Sequence, residues 1–298
     1  MGARACSRAV LFALLAWAPV CSLAQAGAVV PATAPASAAA PGMTMVTFNL
    51  HHDREDWPAR RKVILRELQA LRPDAIALQE VIQKPHVRNQ AAWLARRLGY
   101  DYQFASTDPP GRLKRYGNAL LTRRPVLARN EHLLAPLGDY RTVAHLRIDV
   151  DGQPVNVYAT HLNERADDSG SRIRGEQVAD LLRFIAASSA SAPVVIAGDF
   201  NAMVDAGDLS ALRQHYGDSF GSVHVNDVNA VSTLNRHYFE RPSRIDHVFF
   251  QQDTLLAREA RILFDKPYAE GRWASDHYGV WTRLQFAPSP GAAAATTP

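Results

Sequence analysis

The chain has 298 residues and a formal net charge of +4, and its only two cysteines are Cys6 and Cys21. Both cysteines precede the region that carries regular strand and helix patterns. Cysteine-based catalysis, thiolate metal sites and disulfides are therefore excluded from that region, whose stability must come from its apolar core. The small net charge is weak evidence for a nucleic-acid partner.

The first 26 residues have the pattern of a secretory signal peptide. Arg4 and Arg8 precede an apolar run over Val10–Trp17, and small residues continue to Ala26. The apolar run is too short to span a bilayer. We therefore expect an exported protein, either periplasmic or secreted, with no stable membrane insertion once the signal peptide is removed.

The composition changes again at both ends of the remaining chain. Residues 27–42 are rich in Ala and Pro and predict a linker, and residues 287–298 predict a similar flexible tail. Residues 43–286 have a length typical of one large domain. We expect this domain to be a monomer.

Short apolar runs alternate with amphipathic stretches along the predicted domain. Helices are predicted at 56–71, 89–98 and 172–187, with a short one at 207–215. Strands are predicted at 44–49, 74–79, 101–105, 117–122, 141–150, 154–160, 193–198, 244–250 and 279–286. Asp151-Gly152 predicts a β-hairpin between two of them. The mixture of hairpins and strand–helix alternation indicates a layered α/β or α+β sandwich.

Polar side chains follow or begin many of these strands. Functional side chains of sheet proteins lie on loops that a rigid scaffold holds in place. The pattern therefore predicts a site at one edge of a sheet layer. Its candidate members are Asn49, Glu80, His161, Asp199, Asn201, Asp246, Asp276 and His277.

Each candidate also has a structural interpretation when it is considered alone. Glu80 could form an ion pair at a strand end, Asp199 and Asn201 could form an Asx turn, and His161 could be a structural core residue. Strand alternation places Asp246 and His247 on opposite faces, so only one of them can face the site.

The set of candidates favours a divalent metal ion bound by oxygen ligands. Asn49, Glu80, Asp199 and Asp276 are hard oxygen donors, which indicates Mg²⁺, with Mn²⁺ and Ca²⁺ as alternatives, over structural zinc. The chain has no HExxH zinc motif and no GxxxxGK[ST] nucleotide motif.

Seven short motifs occur along the domain. They are Thr47-Phe48-Asn49-Leu50-His51-His52, Leu78-Gln79-Glu80-Val81, Tyr116-Gly117-Asn118-Ala119, Thr160-His161-Leu162, Gly198-Asp199-Phe200-Asn201, Arg244-Ile245-Asp246-His247 and Ser275-Asp276-His277. In order and spacing they resemble the motif set of the endonuclease/exonuclease/phosphatase family, which includes deoxyribonuclease I. The resemblance covers residues 43–286. It implies a four-layer α/β/β/α sandwich and metal-dependent cleavage of a P–O bond by water.

The resemblance also implies roles for individual residues. The metal ligands would be Asn49, Glu80 and Asp276. Asp199 would activate the attacking water, and Asn201 would support the phosphoryl oxygens. The remaining implied roles are phosphate contact by His277, orientation of His277 by Asp246, action of His161 near the leaving group, and substrate binding or site ordering by Tyr116, Asn118 and Arg141.

The sequence leaves the substrate open. A phosphodiesterase acting on nucleic acid is the first hypothesis, and the basic residues between Arg112 and Arg124 could form a phosphate-facing rim or a solvated loop. A sphingomyelinase-like or inositol-phosphate hydrolase is the second hypothesis. A non-catalytic binding domain that kept the fold is the third.

Overall fold

The computed structural model describes residues 41–227 and 230–288. The predicted signal peptide lies outside these residues, as do nearly all of the predicted linker and tail. Export therefore stays a prediction. Within the described ranges, no helix combines the length and the apolar character needed to cross a membrane.

The described residues form twelve strands and five α-helices. The strands are β1 (Gly42–Asn49), β2 (Ala75–Gln83), β3 (Asp101–Ser106), β4 (Arg115–Thr122), β5 (Val126–Leu133), β6 (Thr142–Val150), β7 (Gln153–His161), β8 (Val194–Asp199), β9 (Tyr216–Asp218), β10 (Asp246–Gln251), β11 (Leu255–Leu263) and β12 (Gly279–Phe286). The helices are α1 (Trp57–Leu71), α2 (Gln90–Leu98), α3 (Asp168–Ser188), α4 (Ser210–Arg213) and α5 (Ser219–Val223).

The strands form two six-stranded mixed sheets, in the orders β11-β12-β1-β2-β4-β3 and β5-β6-β7-β8-β10-β9. Buried side chains from both sheets, such as Met45 and Val157, form a common core between them. A second core packs α1 and α2 against the first sheet, and a third packs α3 and α4 against the second. This arrangement confirms the expected four-layer α/β/β/α sandwich.

Local signals placed the first two helices correctly. The Asp56 carboxylate accepts a hydrogen bond from Ala59 N at the start of α1, and the Asn89 side chain does the same for Ala92 N at α2. α3 begins at Asp168, four residues before the predicted residue 172. The composition of its first turn, Asp-Ser-Gly, is typical of a loop, which is why the sequence pattern missed it.

Three strands were missed by the sequence prediction, and all three are edge strands. β5, β9 and β11 each lie at the end of a sheet. β5 and β11 alternate poorly between buried and exposed positions, and β9 has only 3 residues. Without a regular apolar period an edge strand cannot be distinguished from a loop. The helix predicted at 207–215 is also shorter, because a 3₁₀ turn over Gly207–Leu209 precedes α4.

Each sheet contains one parallel pair of strands, and these pairs bring the predicted site residues together. In the first sheet Asn49 of β1 lies beside Gln79 of β2. In the second, His161 of β7 lies beside Asp199 of β8, which also pairs with Asp246 of β10. The ends of the strands therefore carry the candidate residues to one end of the sandwich.

A buried ion pair joins the short edge strand β9 to the turn that precedes β10. Arg244 donates from two nitrogens to the Asp218 carboxylate, at 3.1 and 2.7 Å. The same carboxylate accepts a hydrogen bond from Gly221 N and so caps α5. Burial opposes the charge of Asp218, but the hydrogen bond and charge of His247 and the charge of Arg244 hold its pKa well below the usual range.

We predict that Asp218→Asn lowers the free energy of unfolding by about 3–5 kcal/mol at pH 7, because it removes the charged partner from a buried ion pair. A carboxylate with a depressed folded pKa stabilises the protein above its unfolded pKa of about 3.9, and this contribution falls as the pH drops below that value. The difference between wild type and variant should thus shrink by about 1 kcal/mol at pH 3.

Urea denaturation at both pH values measures this difference. Asp253→Asn, which removes an exposed carboxylate from the nearby β10–β11 turn, is the matched control and should change little. A loss in Asp218→Asn that does not depend on pH would contradict the electrostatic explanation.

Candidate active site

A cavity of about 620 Å³ opens at the end of the sandwich where the strand ends meet. Eight of the eleven predicted site residues line it: Glu80, Tyr116, Arg141, His161, Asp199, Asn201, Asp276 and His277. Asn49 and Asp246 lie directly behind this lining, since they are hydrogen bonded to Asp199 and His277. This volume is in the range of small-molecule binding sites.

Asp199 lies at the centre of the group and is only 1% exposed. Its Oδ2 accepts a hydrogen bond from Asn49 Nδ2 at 3.0 Å, and its Oδ1 accepts one from the backbone N–H of Asn201. Burial raises the pKa of Asp199, while the charges of His161 and His277 act in the opposite direction. A buried carboxylate with a raised pKa is a better proton acceptor than an ordinary aspartate.

His277 forms a buried pair with Asp246. Its Nδ1 is 2.9 Å from Asp246 Oδ2, and its Nε2 is 3.8 Å from Asp199 Oδ2. Burial opposes a positive charge on His277, but the two carboxylates outweigh it and raise the pKa of His277 to about 10. The imidazole is therefore protonated at neutral pH. Thr233 braces the pair, because its hydroxyl oxygen accepts hydrogen bonds from the backbone N–H groups of Ile245 and Asp246.

His161 has the opposite charge state. Its Nε2 lies 3.5 Å from Asp199 Oδ2. Burial lowers the pKa of His161 to about 4, although the Asp199 carboxylate acts against this shift. At neutral pH a neutral imidazole and an imidazolium, that of His277, thus flank the same carboxylate.

A β-bulge directs Glu80 into the cavity. The register of β2 against β4 shifts between Leu78 and Val81, and Glu80 lies in this shift with a positive φ of 55°. The strand therefore continues to Gln83, whereas the sequence prediction ended it at Gln79. Bulges of this kind re-aim a side chain next to active sites.

Glu80 and Asp276 each lie beside a histidine of the loop after β1. Glu80 Oε2 is 2.9 Å from His52 Nε2, and Asp276 Oδ1 is 3.4 Å from His51 Nδ1. Burial opposes the charge of Glu80, but the hydrogen bond from His52 and nearby positive charges lower its pKa to about 2. Glu80 is therefore ionised throughout the neutral range.

The donor groups at this end of the sandwich suit a divalent cation. Among the described residues, Asp199, Asp246 and His277 offer ligand atoms that all lie within 4.8 Å of one another. Glu80 and Asp276 contribute two further carboxylates to the cavity wall, and each has only a histidine as its ion-pair partner in the described structure. Carboxylates without Lys or Arg partners are appropriate ligands for a hard cation.

The sequence profile of the Endonuclease/Exonuclease/phosphatase family matches residues 46–277. The chain belongs to this family. The matched range contains every residue of the predicted site, so the expected resemblance is confirmed. Membership supports hydrolysis of phosphoester bonds as the class of activity.

Relatives agree with this assignment. Nocturnin of Drosophila melanogaster is 28% identical over 158 residues, which cover 49% of this chain and 24% of that protein. The chain thus matches only about a quarter of the length of that relative. A solved family protein from Leptotrichia buccalis superposes with a TM-score of 0.66, at 20% identity, over 82% of this chain and all of that one.

A second solved structure holds a nucleic acid. D. rerio TDP2, complexed with a single-strand DNA product, superposes with a TM-score of 0.68 over 82% of this chain and 98% of that chain. Its sequence identity to this chain is 17%, so the likeness shows the shared family fold alone.

Three of the predicted site residues form hydrogen bonds or ion pairs with other residues of the protein. The Asn118 amide donates two hydrogen bonds to Thr142, which tie β4 of the first sheet to β6 of the second outside the cavity lining. Arg141 forms ion pairs with Glu164 and Asp139 at the cavity mouth. The amide of Asn201 donates to Leu162 O.

The basic segment between Arg112 and Arg124 does not form one rim. Arg123 and Arg124 follow the far end of β4, where both pair with the buried Asp74. Lys114 remains beside the site, on the wall of a side pocket of about 350 Å³ that it shares with Tyr116 and Lys84. The interpretation as a phosphate-facing rim can therefore apply only to the first half of the segment, and Arg123 and Arg124 are structural.

Sequence reasoning missed Arg60, which holds two loops of the site together. This arginine of α1 is 1% exposed, and its guanidinium donates to the carbonyl oxygens of Leu50, His51, His52, Arg54 and Ala274. The loop after β1 and the loop before Asp276 are thereby joined. The only sequence signal was an arginine on the apolar face of a helix, one turn before Ile64.

We predict that Arg60→Met lowers the free energy of unfolding by at least about 3 kcal/mol, because several buried carbonyl oxygens lose their donor at about 1–3 kcal/mol each. Arg60→Lys should recover only part of this loss, since an ammonium cannot reach all of the carbonyls. Chemical denaturation measures both variants. Arg66→Met, on the exposed face of the same helix, should be nearly neutral, and an equal loss there would refute the role of Arg60.

Proposed function

We propose that this protein is an exported, metal-dependent phosphodiesterase that hydrolyses P–O bonds of nucleic acid with an activated water molecule. One observation carries the proposal. The buried Asp199 carboxylate lies 3.5 Å from His161 Nε2 and 3.8 Å from His277 Nε2, on the wall of the cavity. This is a proton acceptor placed between a neutral imidazole and a protonated one.

The residues divide the chemistry of water attack on a phosphodiester. Asp199 accepts a proton from the attacking water, and the hydrogen bond from Asn49 keeps its Oδ2 in position. The imidazolium of His277 donates to a non-bridging phosphoryl oxygen, where negative charge grows in the transition state. Asp246 keeps this imidazole oriented and charged.

His161 and Tyr116 act on the other parts of the substrate. The neutral His161 can donate one hydrogen bond from Nε2 toward the phosphoryl group or the leaving oxygen, because burial keeps it uncharged. Tyr116 lines the same cavity. Burial, together with the charges of Glu80 and Asp199, raises the pKa of Tyr116, so its hydroxyl stays protonated and can serve as a donor.

A divalent cation completes this site in our proposal. Asn49, Glu80 and Asp276 would hold it, and when bound it would neutralise the charge that builds on the phosphoryl oxygens. We propose Mg²⁺ as the simplest ion for the oxygen ligands, as the sequence indicates. Glu80 is suited to this role because it is ionised at neutral pH and directed inward by the bulge.

Two observations favour nucleic acid over a lipid headgroup. Lys114 lines a side pocket that shares Tyr116 and His52 with the main cavity, and its ammonium there can contact a neighbouring phosphate of a polymer. TDP2, a protein with the same fold, was solved with a single-strand DNA product. A non-catalytic domain is disfavoured by the complete set of site groups.

We predict that Asp199→Asn lowers turnover by about 10²–10⁴-fold, because an amide cannot accept the proton of the attacking water. Binding of the substrate should change much less, so the loss should appear in kcat more than in KM. Steady-state kinetics on a phosphodiester measures this. Asp205→Asn makes the same change at an exposed position of the following loop and should keep full turnover. Turnover near wild type in Asp199→Asn would remove it from the mechanism.

We predict that the full chain cleaves plasmid DNA or RNA with added Mg²⁺, and that excess EDTA abolishes cleavage until the metal is restored. The panel should include bis-p-nitrophenyl phosphate, sphingomyelin and inositol phosphates, each with His277→Ala as a control for contaminating nuclease. If only sphingomyelin or inositol phosphate is turned over, the proposed nucleic-acid substrate is wrong, whereas the proposed mechanism of P–O hydrolysis still holds. Activity that survives chelation would contradict the proposed metal dependence.

A further inference from the structure

We propose that His52 is a ligand of the divalent cation beside Glu80, and that its imidazole makes the site prefer transition-metal ions such as Mn²⁺, Co²⁺ and Zn²⁺ over Mg²⁺. The inference rests on the metal dependence proposed above. It adds a nitrogen donor to a site for which the sequence indicated oxygen ligands alone.

The position of His52 suits a ligand of the same ion as Glu80. Its Nε2 lies 2.9 Å from Glu80 Oε2. Two neighbouring ligands of one octahedral ion, with bonds of about 2.1 Å, are about 3 Å apart, so the two atoms can bind one ion with little movement. Stacking of the His52 ring on Tyr116, with centroids 5.1 Å apart, holds the imidazole over the cavity.

The backbone is held in a costly conformation that brings both rings to the carboxylates. His51 and His52 have φ values of 53° and 48°, in the left-handed region that costs a non-glycine residue about 1–2 kcal/mol. Arg60 stabilises this pair of turns by donating to the carbonyl oxygens of both histidines. Strained residues that the surrounding structure holds in place are typical of functional sites.

The second donor type changes which ion the site prefers. Imidazole nitrogen binds transition-metal ions more strongly than it binds Mg²⁺, which prefers oxygen and keeps several waters. In the absence of a metal, the 2.9 Å contact between His52 and Glu80 also suits a simple hydrogen bond. If His52 is a ligand, its nitrogen is bonded directly to the metal ion; if it only donates a hydrogen bond to Glu80, it is not. A spectroscopic measurement of metal–nitrogen coupling distinguishes these two roles.

The test uses the full chain with Mn²⁺ and Mg²⁺ alone, without substrate. Calorimetric titration should give Mn²⁺ binding at least about 10-fold tighter than Mg²⁺ binding, and His52→Gln should remove about 10-fold or more of the Mn²⁺ affinity while changing Mg²⁺ binding little. Pulsed electron paramagnetic resonance of the Mn²⁺-loaded wild type should show ¹⁴N coupling from a coordinated imidazole, reduced in His52→Gln. His86→Gln, at an exposed position of the loop before α2, is the matched control.

The outcomes separate this inference from the proposed function. Mn²⁺ binding without ¹⁴N coupling in the wild type would refute the histidine ligand and leave a metal-dependent phosphodiesterase with oxygen ligands. Since this measurement needs no variant, it stands even if His52→Gln does not fold. No binding of either ion, with phosphodiester cleavage unaffected by EDTA, would refute the metal dependence itself and the inference with it.

Discussion

The hydrogen bond from Asn49 to Asp199 is the contact on which the arrangement of the site depends. It joins side chains 150 positions apart, at the ends of strands that belong to different sheets. A carboxylate that is only 1% exposed needs such a donor, because an unpaired buried charge is costly. The two sheets must therefore meet with their strand ends aligned, and this alignment forms the cavity between them.

Around this contact, the pKa values of two buried histidines shift in opposite directions. His277, next to Asp246, is kept protonated, whereas His161, which has no such partner at Nδ1 among the described residues, is kept neutral by burial. Opposed shifts of this kind provide a donor and an acceptor at the same pH. The chemistry thus follows from where each imidazole lies relative to the carboxylates.

Arg60 holds the loop after β1 of the first sheet in place. Its buried guanidinium satisfies backbone carbonyl oxygens of a loop that contains consecutive left-handed residues. A loop with this backbone strain would otherwise relax, and the histidines would leave the carboxylates of Glu80 and Asp276. Stability and loop geometry are in this way coupled through one side chain that is not part of the cavity lining.

By itself the sequence determined the family motifs, the capped helices α1 and α2, the central strands and ten of the eleven site positions that meet at or directly behind the cavity. These features depend on local patterns, namely apolar periodicity, capping residues and short motifs. Tertiary structure alone decided the bulge at Glu80, the edge strands, the separation of Arg123 from Lys114 and the role of Arg60. Each of these depends on contacts between residues far apart in the chain, and no local pattern records such contacts.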